Sequence, residues 1–242
     1  MKEYKYLLFD LDDTLVDDNE NRKHGFIEVL NSLNESITDE KINRFFKIDK
    51  TYWKEHADGK IVCPKFNDIE EKATWHRAQR FLRYFNHEIG FDEAVRLNEI
   101  YMEGLKTKIV PIGGGYELIK ELYEKGYKIY ITTNGVGTAV FNKLEKIGIN
   151  NYISDIFLAE EVGFSKPYKE FFDAFMNKTQ IFNKDEMLII GDDPQKDIKG
   201  GIISNIDTCL FNPNDIISTE YLPTYEIKHL KELKTILLNN KK

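Results

Sequence analysis

A chain of 242 residues, 41% hydrophobic and 13% aromatic, can bury a substantial core, which excludes a disordered polypeptide. A net charge of −7 argues against a nucleic-acid footprint and gives no reason to expect an anionic membrane as partner. Cys63 and Cys209 lack metal-ligand spacing, and the first apolar run is too short for a secretory core or a membrane span, so the expected setting is reducing and cytoplasmic.

The chain opens with Tyr6-Leu7-Leu8-Phe9, an apolar run of strand length, followed at once by Asp10, Asp12 and Thr14. Carboxylates that close to a buried strand need a compensating cation or hydrogen bonds, and Asp oxygens suit a hard cation such as Mg2+. An acidic turn capping the next segment is the alternative. From Asp17 to about Lys108 the pattern is helical throughout. Phe26, Leu30 and Leu33 form one apolar stripe; Ile42, Phe45, Phe46, Tyr52 and Trp53 a second; Trp75, Ala78, Leu82 and Phe85 a third; Leu97, Tyr101 and Leu105 a fourth. Breaks fall at Asp58-Gly59 and at Cys63-Pro64.

After Val110 the texture changes. Gly113-Gly114-Gly115 reads as a turn before a helix from Tyr116 to Lys125, because its spacing fits neither a dinucleotide fingerprint nor a Walker A loop. Then come a strand over Tyr127–Thr133, a helix over Thr138–Ile147, a short strand over Ile156–Leu158, a helix over Lys169–Met176 and a strand over Met187–Asp192. A helix over Asp197–Ser204, a strand over Thr208–Phe211 and a surface helix over Lys228–Leu238 complete the chain. Strands alternating with helices predict an α/β fold, a Rossmann-like parallel sheet covered on both faces. The all-helical insertion makes a second domain of 17–108, with 1–16 and 109–242 as the core. Ligands of such sheets bind beyond the carboxyl ends of the strands, where Asp10, Thr133 and Asp192 stand.

Those residues permit phosphoryl chemistry. Asp10 would attack phosphorus and form an acyl phosphate. Asp12 would protonate the leaving oxygen and then deprotonate water, given a raised pKa. Thr133 and the backbone amides of Leu11 and Asn134 would hold phosphoryl oxygens. Lys166, fixed in direction by Pro167, would neutralise nucleophile and phosphoryl group, the alternative being a solvated loop lysine. Asp192 and Asp10 would bind Mg2+ with the carbonyl of Asp12, while Asp193 and Asp197 would orient metal-bound water or Lys166, or cap a helix.

Asp10-x-Asp12-x-Thr14, Thr133-Asn134-Gly135, Lys166-Pro167 and Gly191-Asp192-x4-Asp197 resemble, in order, the four motifs of the haloacid dehalogenase (HAD) superfamily of phosphohydrolases. The resemblance implies a Mg2+-dependent aspartyl-phosphate mechanism and a helical cap between the first two motifs. The acid at Asp12 implies a phosphatase or phosphomutase and not a dehalogenase. Asp49-Lys50-Thr51-Tyr52-Trp53 with Asp58-Gly59, Glu160-Glu161-Val162-Gly163, and Gly200-Gly201 with Thr208-Cys209 are similar to the YjjG-like branch, which implies a pyrimidine or non-canonical nucleoside 5′-monophosphate as substrate. Gly113-Gly114-Gly115 departs from the Pro-Gly-Ala often found where the core resumes.

Lys50, Trp53, Trp75, Arg77 and Arg80 are the insertion's candidates for contacting substrate, although both tryptophans also fit apolar stripes and so are expected in the bundle core. The histidines show no metal-binding pair on one face. The expectation is a phosphatase acting on a small phosphorylated metabolite, with a sugar-phosphate phosphatase or phosphomutase, and a non-catalytic binding protein, as alternatives. Whether it acts as a monomer or a homodimer is left open by the sequence.

Overall fold

The computed structural model describes residues 2–215 and 220–238. Residues 1, 216–219 and 239–242, assigned to the core on sequence grounds, lie outside the described part. In chain order, β1 (Tyr6–Phe9) is followed by α1 (Asp18–Ser32), α2 (Asp39–Ala57), α3 (Ile69–Tyr84), α4 (Phe91–Thr107) and α5 (Gly115–Glu124). Next come β2 (Lys128–Thr133), α6 (Gly137–Ile147), β3 (Asp155–Leu158), α7 (Ala159–Val162), α8 (Lys169–Thr179) and β4 (Met187–Gly191). The chain ends with α9 (Lys199–Ser204), β5 (Asp207–Phe211), β6 (Tyr225–Ile227) and α10 (Leu233–Leu238). Two compact units result: Met1–Asp18 with Ile109–Lys242, and Asn19–Lys108. Among the described residues no helix is long and apolar enough to cross a membrane.

The α/β unit is built on a parallel sheet of order β3-β2-β1-β4-β5-β6. Successive strand side chains point to opposite faces, so a strand flanked by helices on both sides must be apolar throughout. Leu7, Phe9, Ile129, Ile131, Leu188 and Ile190 enter one core with Leu118 and Leu122 of α5 and Val140 and Leu144 of α6. Leu8, Tyr130 and Ile189 enter the other, against Phe171, Phe172 and Phe175 of α8. Each such side chain, fully buried, contributes about 1.5–3 kcal/mol. The glycine triplet forms the expected turn: Gly114 takes a left-handed φ of 81° just before α5.

The end of the chain departs from expectation. Tyr225–Ile227 forms a sixth strand on β5. The last helix starts later than Lys228, and it is not a surface helix, because Leu230, Leu233 and Leu237 are buried in the first core. The apolar spacing of Leu230, Leu233 and Leu237 is that of a packed face, and β6 is too short to show periodicity. Helix α9 is preceded by a π-helical turn, Pro194–Ile198, where a single helix was expected from Asp197.

In the helical unit, Phe26 stacks on Phe45 with ring centroids 4.2 Å apart, and Phe81, Tyr84, Leu97 and Tyr101 complete the core. Gly25 of α1 and Gly104 of α4 let these helices touch, since a Cβ on Gly104 would lie 2.8 Å from the Gly25 Cα. Thr38 and Asp68 cap the amino ends of α2 and α3 through hydrogen bonds from Lys41 N and Glu70 N. Neither tryptophan enters this core, contrary to expectation. Tyr52 takes the inward position, leaving Trp53 37% exposed with its indole N–H donating to Asp49 Oδ1 at 3.0 Å. Trp75, a turn ahead of the buried Ala78, is only half-buried beside Phe66.

Candidate active site

Strands β2, β1 and β4 are neighbours and run parallel, so their carboxyl ends share one edge. Phe9 is in register with Ile131 and Ile190, and the Asp10 N–H donates to the Ile190 carbonyl at 2.8 Å. The edge therefore presents Asp10 after β1, Thr133 and Asn134 at the end of β2, and Asp192 after β4. Lys166 reaches the same place from the loop between α7 and α8, where the Lys166–Pro167 peptide is cis.

Lys166 is 3% exposed, and its Nζ donates to Asp10 Oδ1 and Asp197 Oδ1, both at 2.6 Å. Burial alone would lower its pKa, but the two carboxylates outweigh burial and raise it, so the ammonium stays charged. The Asn134 side chain ties the Lys166 loop to β2: Nδ2 donates to the Lys166 carbonyl at 3.0 Å, and Oδ1 accepts from the Lys166 N–H at 2.9 Å. Thr133 Oγ1 accepts from Gly135 N at 3.0 Å, and Thr14 Oγ1 donates to Asp192 Oδ1 at 3.3 Å. Asp193 caps the π-helical turn by accepting from Gln195 N at 2.8 Å, and pairs with Lys196 at 2.6 Å. Burial opposes its charge, but the Lys196 ammonium and the backbone N–H groups of Gln195 and Lys196 outweigh burial, so the pKa of Asp193 is lowered.

The carboxylates are short of positive charge. Burial pushes Asp10 up to about 6 despite Lys166. Burial, then Asp10 and Asp197, pushes Asp192 up to about 8. One carboxylate oxygen from each of Asp10, Asp192 and Asp197 lies within 4.8 Å of the others. Three clustered carboxylate oxygens, with Asp10 and Asp192 raised by burial and neighbouring negative charge, fit a hard divalent cation, which would relieve that repulsion. Asp197 joins this cluster with its carboxylate, whereas the side chain of Asp12 turns elsewhere.

Asp12 is bound by a residue that the motifs do not contain. Lys143 Nζ of α6 donates to Asp12 Oδ1 at 2.5 Å and to Asp18 Oδ1 at 2.7 Å. Burial, and next the charge of Asp18, pushes Asp12 up to about 6 even with Lys143 beside it. The only signal of Lys143 in the sequence is a lysine next to the apolar stripe of Val140 and Leu144.

The structure thus brings Asp10, Thr133, Asn134, Lys166, Asp192 and Asp197 to one sheet edge, with Asp12 and Asp193 on the adjoining turns. The helical-unit candidates are dispersed in character. Lys50 and Trp53 are exposed, while Trp75 and Arg77 are half-buried. Arg80 is 5% exposed, bonded to Asp49 Oδ1 at 2.9 Å and Asn98 Oδ1 at 2.8 Å, so its guanidinium serves the bundle interior. Two histidines far apart in sequence meet, His56 against His76 with ring centroids 4.3 Å apart. Cys63 and Cys209 are free thiols.

Residues 7–211 match the haloacid dehalogenase-like hydrolase family. The chain is similar to the HAD-hydrolase YfnB of Bacillus subtilis, at 31% identity over 98% of this chain and 97% of that protein. It is also similar to the pyrimidine 5′-nucleotidases PynA of Streptococcus pneumoniae, at 28% identity over 98% and 96% of the two chains, and YjjG of Escherichia coli, at 25% over 97% and 98%. The crystal structure of YfnB bound to magnesium superposes with a TM-score of 0.83, covering 98% of this chain and 99% of that one. Ordered motifs on the sheet edge, the parallel fold around them and a family match across most of the length agree, and the chain belongs to the haloacid dehalogenase-like hydrolases.

Proposed function

We propose that the protein is a Mg2+-dependent phosphatase that hydrolyses nucleoside 5′-monophosphates through an aspartyl-phosphate intermediate on Asp10. The observation that carries this is the Lys166 ammonium held 2.6 Å from both Asp10 and Asp197, beside the carboxylate of Asp192. A buried carboxylate next to a fixed ammonium can attack phosphorus while the ammonium balances the charge that accumulates. The pyrimidine nucleotidases PynA and YjjG, similar along nearly the whole chain, support the substrate class.

Asp10 attacks the phosphoryl group with one carboxylate oxygen. Lys166 remains protonated throughout and pairs with that group's oxygens, and Asp197 holds Lys166 in place. The Thr133 hydroxyl and the backbone amides of Leu11 and Asn134 donate hydrogen bonds to the remaining phosphoryl oxygens. Asp12, near neutral pH for its protonation, gives its proton to the leaving oxygen and takes one from the attacking water. Asp10, Asp192 and the Asp12 carbonyl would hold Mg2+, with Asp193 and Asp197 supporting. When bound, the cation supplies charge neutralisation, which lets an anionic nucleophile approach an anionic phosphate. The helical unit would select the leaving group, with Lys50, Trp53, Trp75 and Arg77 as its candidate contacts.

Phosphate release from a panel of nucleotides, sugar phosphates and simple esters, with Mg2+ and with chelator, tests the proposal. Pyrimidine nucleoside 5′-monophosphates should be the fastest substrates, and chelator should abolish release. A preference for hexose phosphates would reject the nucleotide assignment, and phosphate transfer between sugars without net release would indicate a mutase.

A further inference from the structure

Lys143 stands outside every motif and yet makes the closest contact to Asp12. It sits between the buried Val140 and Leu144 on α6, with 12% of its side chain exposed. Its Nζ lies 2.5 Å from Asp12 Oδ1 and 2.7 Å from Asp18 Oδ1. An exposed lysine pair wanders among rotamers, but a desolvated ammonium donating to two carboxylates has one orientation. The bond falls on a single oxygen of Asp12. The other oxygen, Oδ2, faces the turn after β2: a Cβ on Gly135 would lie 3.6 Å from Asp12 Oδ2 and 3.2 Å from Thr133 Oγ1. One oxygen is anchored, and the other borders the turn that carries Thr133 and Gly135.

We propose that Lys143, seated by Asp18, is a positioning residue that clamps Asp12 Oδ1 so that Oδ2 alone handles the reacting proton. The inference rests on Asp12 being the acid and base of the reaction proposed above. In the first half-reaction an Asp10 oxygen bonds to phosphorus, the ester P–O bond breaks, and the proton on Asp12 Oδ2 passes to the departing alkoxide. In the second, a water oxygen bonds to phosphorus, its proton goes to Oδ2, and the bond from phosphorus to Asp10 breaks with its electron pair returning to the carboxylate. Lys143 donates to Oδ1 throughout. Asp18 cancels the ammonium's charge, so the clamp adds direction with little net charge. Asp18 is also the last residue of the α/β unit before the chain enters the helical one, so the anchor belongs to the unit that carries the chemistry.

The test compares Lys143→Met, Lys143→Arg, Asp12→Ala and the double variant Asp12→Ala/Lys143→Met in rapid-quench measurements of phosphoenzyme formation. The substrates are uridine 5′-monophosphate, whose alkoxide leaving group needs a proton, and p-nitrophenyl phosphate, whose phenolate does not. Lys143→Met should slow phosphorylation by the nucleotide about 10- to 100-fold, with KM and phosphorylation by p-nitrophenyl phosphate changed less than about threefold. Lys143→Arg should restore most of the rate, and Lys143→Met should cost nothing further once Asp12→Ala is present. Equal slowing with both esters, a loss that multiplies with that of Asp12→Ala, or no slowing by Lys143→Met would overturn the clamp. Should Lys143→Met not fold, Asp18→Asn replaces it, with the same selective slowing expected and equal slowing of both esters as the refuting result. Normal nucleotide turnover by Asp12→Ala is a separate outcome, one that removes the acid–base assignment itself.

Discussion

At Asp10, burial and reactivity oppose one another. Enclosure disfavours its charge, Lys166 restores part of that charge, and the result is a carboxylate raised to about 6. Replacing this proposed nucleophile should therefore be decisive. Asp10→Asn keeps the shape and should lower turnover by about ten-thousand-fold or more, with an unchanged circular dichroism spectrum; a rate near that of the wild type would move the nucleophile elsewhere. Gly191 makes a different demand. A Cβ there would meet Asp197 Oδ2 at 2.2 Å, so Gly191→Ala must push Asp197 away from Lys166. We expect a loss of about 1–3 kcal/mol in chemical denaturation together with a fall in kcat. Loss of activity at full stability would show that Asp197 can relocate freely.

Between elements, the clearest dependence is the buried cluster centred on Asp49. This carboxylate of α2 accepts from Arg80 of α3, from Trp53 on its own helix and, in a short contact, from Arg22 of α1. Asp49→Ala leaves Arg80 buried without its counter-charge and should destabilise the helical unit by about 3–5 kcal/mol, seen as a lower urea midpoint. A shift under about 1 kcal/mol would mean that water replaces the carboxylate readily. The elements differ in how plainly the sequence announced them. Strands β1, β2 and β4 are continuous apolar runs ending in polar residues, so their type and the sheet edge they share were legible together with Asp10, Thr133, Lys166 and Asp192. The sixth strand was not, since Tyr225-Glu226-Ile227 is only a few residues long and borrows its order from β5. Lys143 escaped for a related reason. Periodicity marks apolar faces, and a lysine that folds back to a distant carboxylate leaves no period of its own. The tryptophans misled because a helical stripe is broader than the face a bundle finally encloses, and Tyr52 and Ala78 fill that face.

For the whole molecule, the acidic edge couples stability to pH. Asp192 and Asp10 are raised to about 8 and about 6 from an unfolded value near 4. The native form therefore keeps protons that the unfolded form releases, and these groups contribute less and less to stability as pH climbs through those values. The proposed Mg2+ would compete with the same protons. The rise in melting temperature on adding Mg2+ should be small at pH 5.5 and should grow to a plateau above pH 8; an increment that is constant or that shrinks with pH would exclude these carboxylates as the binding groups. Finally, the backbone N–H of Asp17 donates to the carbonyl of Val110 at 2.8 Å, where the chain departs from the sheet and where it comes back. A polypeptide that exits and re-enters through a single doorway can exchange everything beyond that threshold without disturbing one strand. If the excursion sets selectivity as proposed, swapping it should rewrite that selectivity, while the sheet edge stays where it stands.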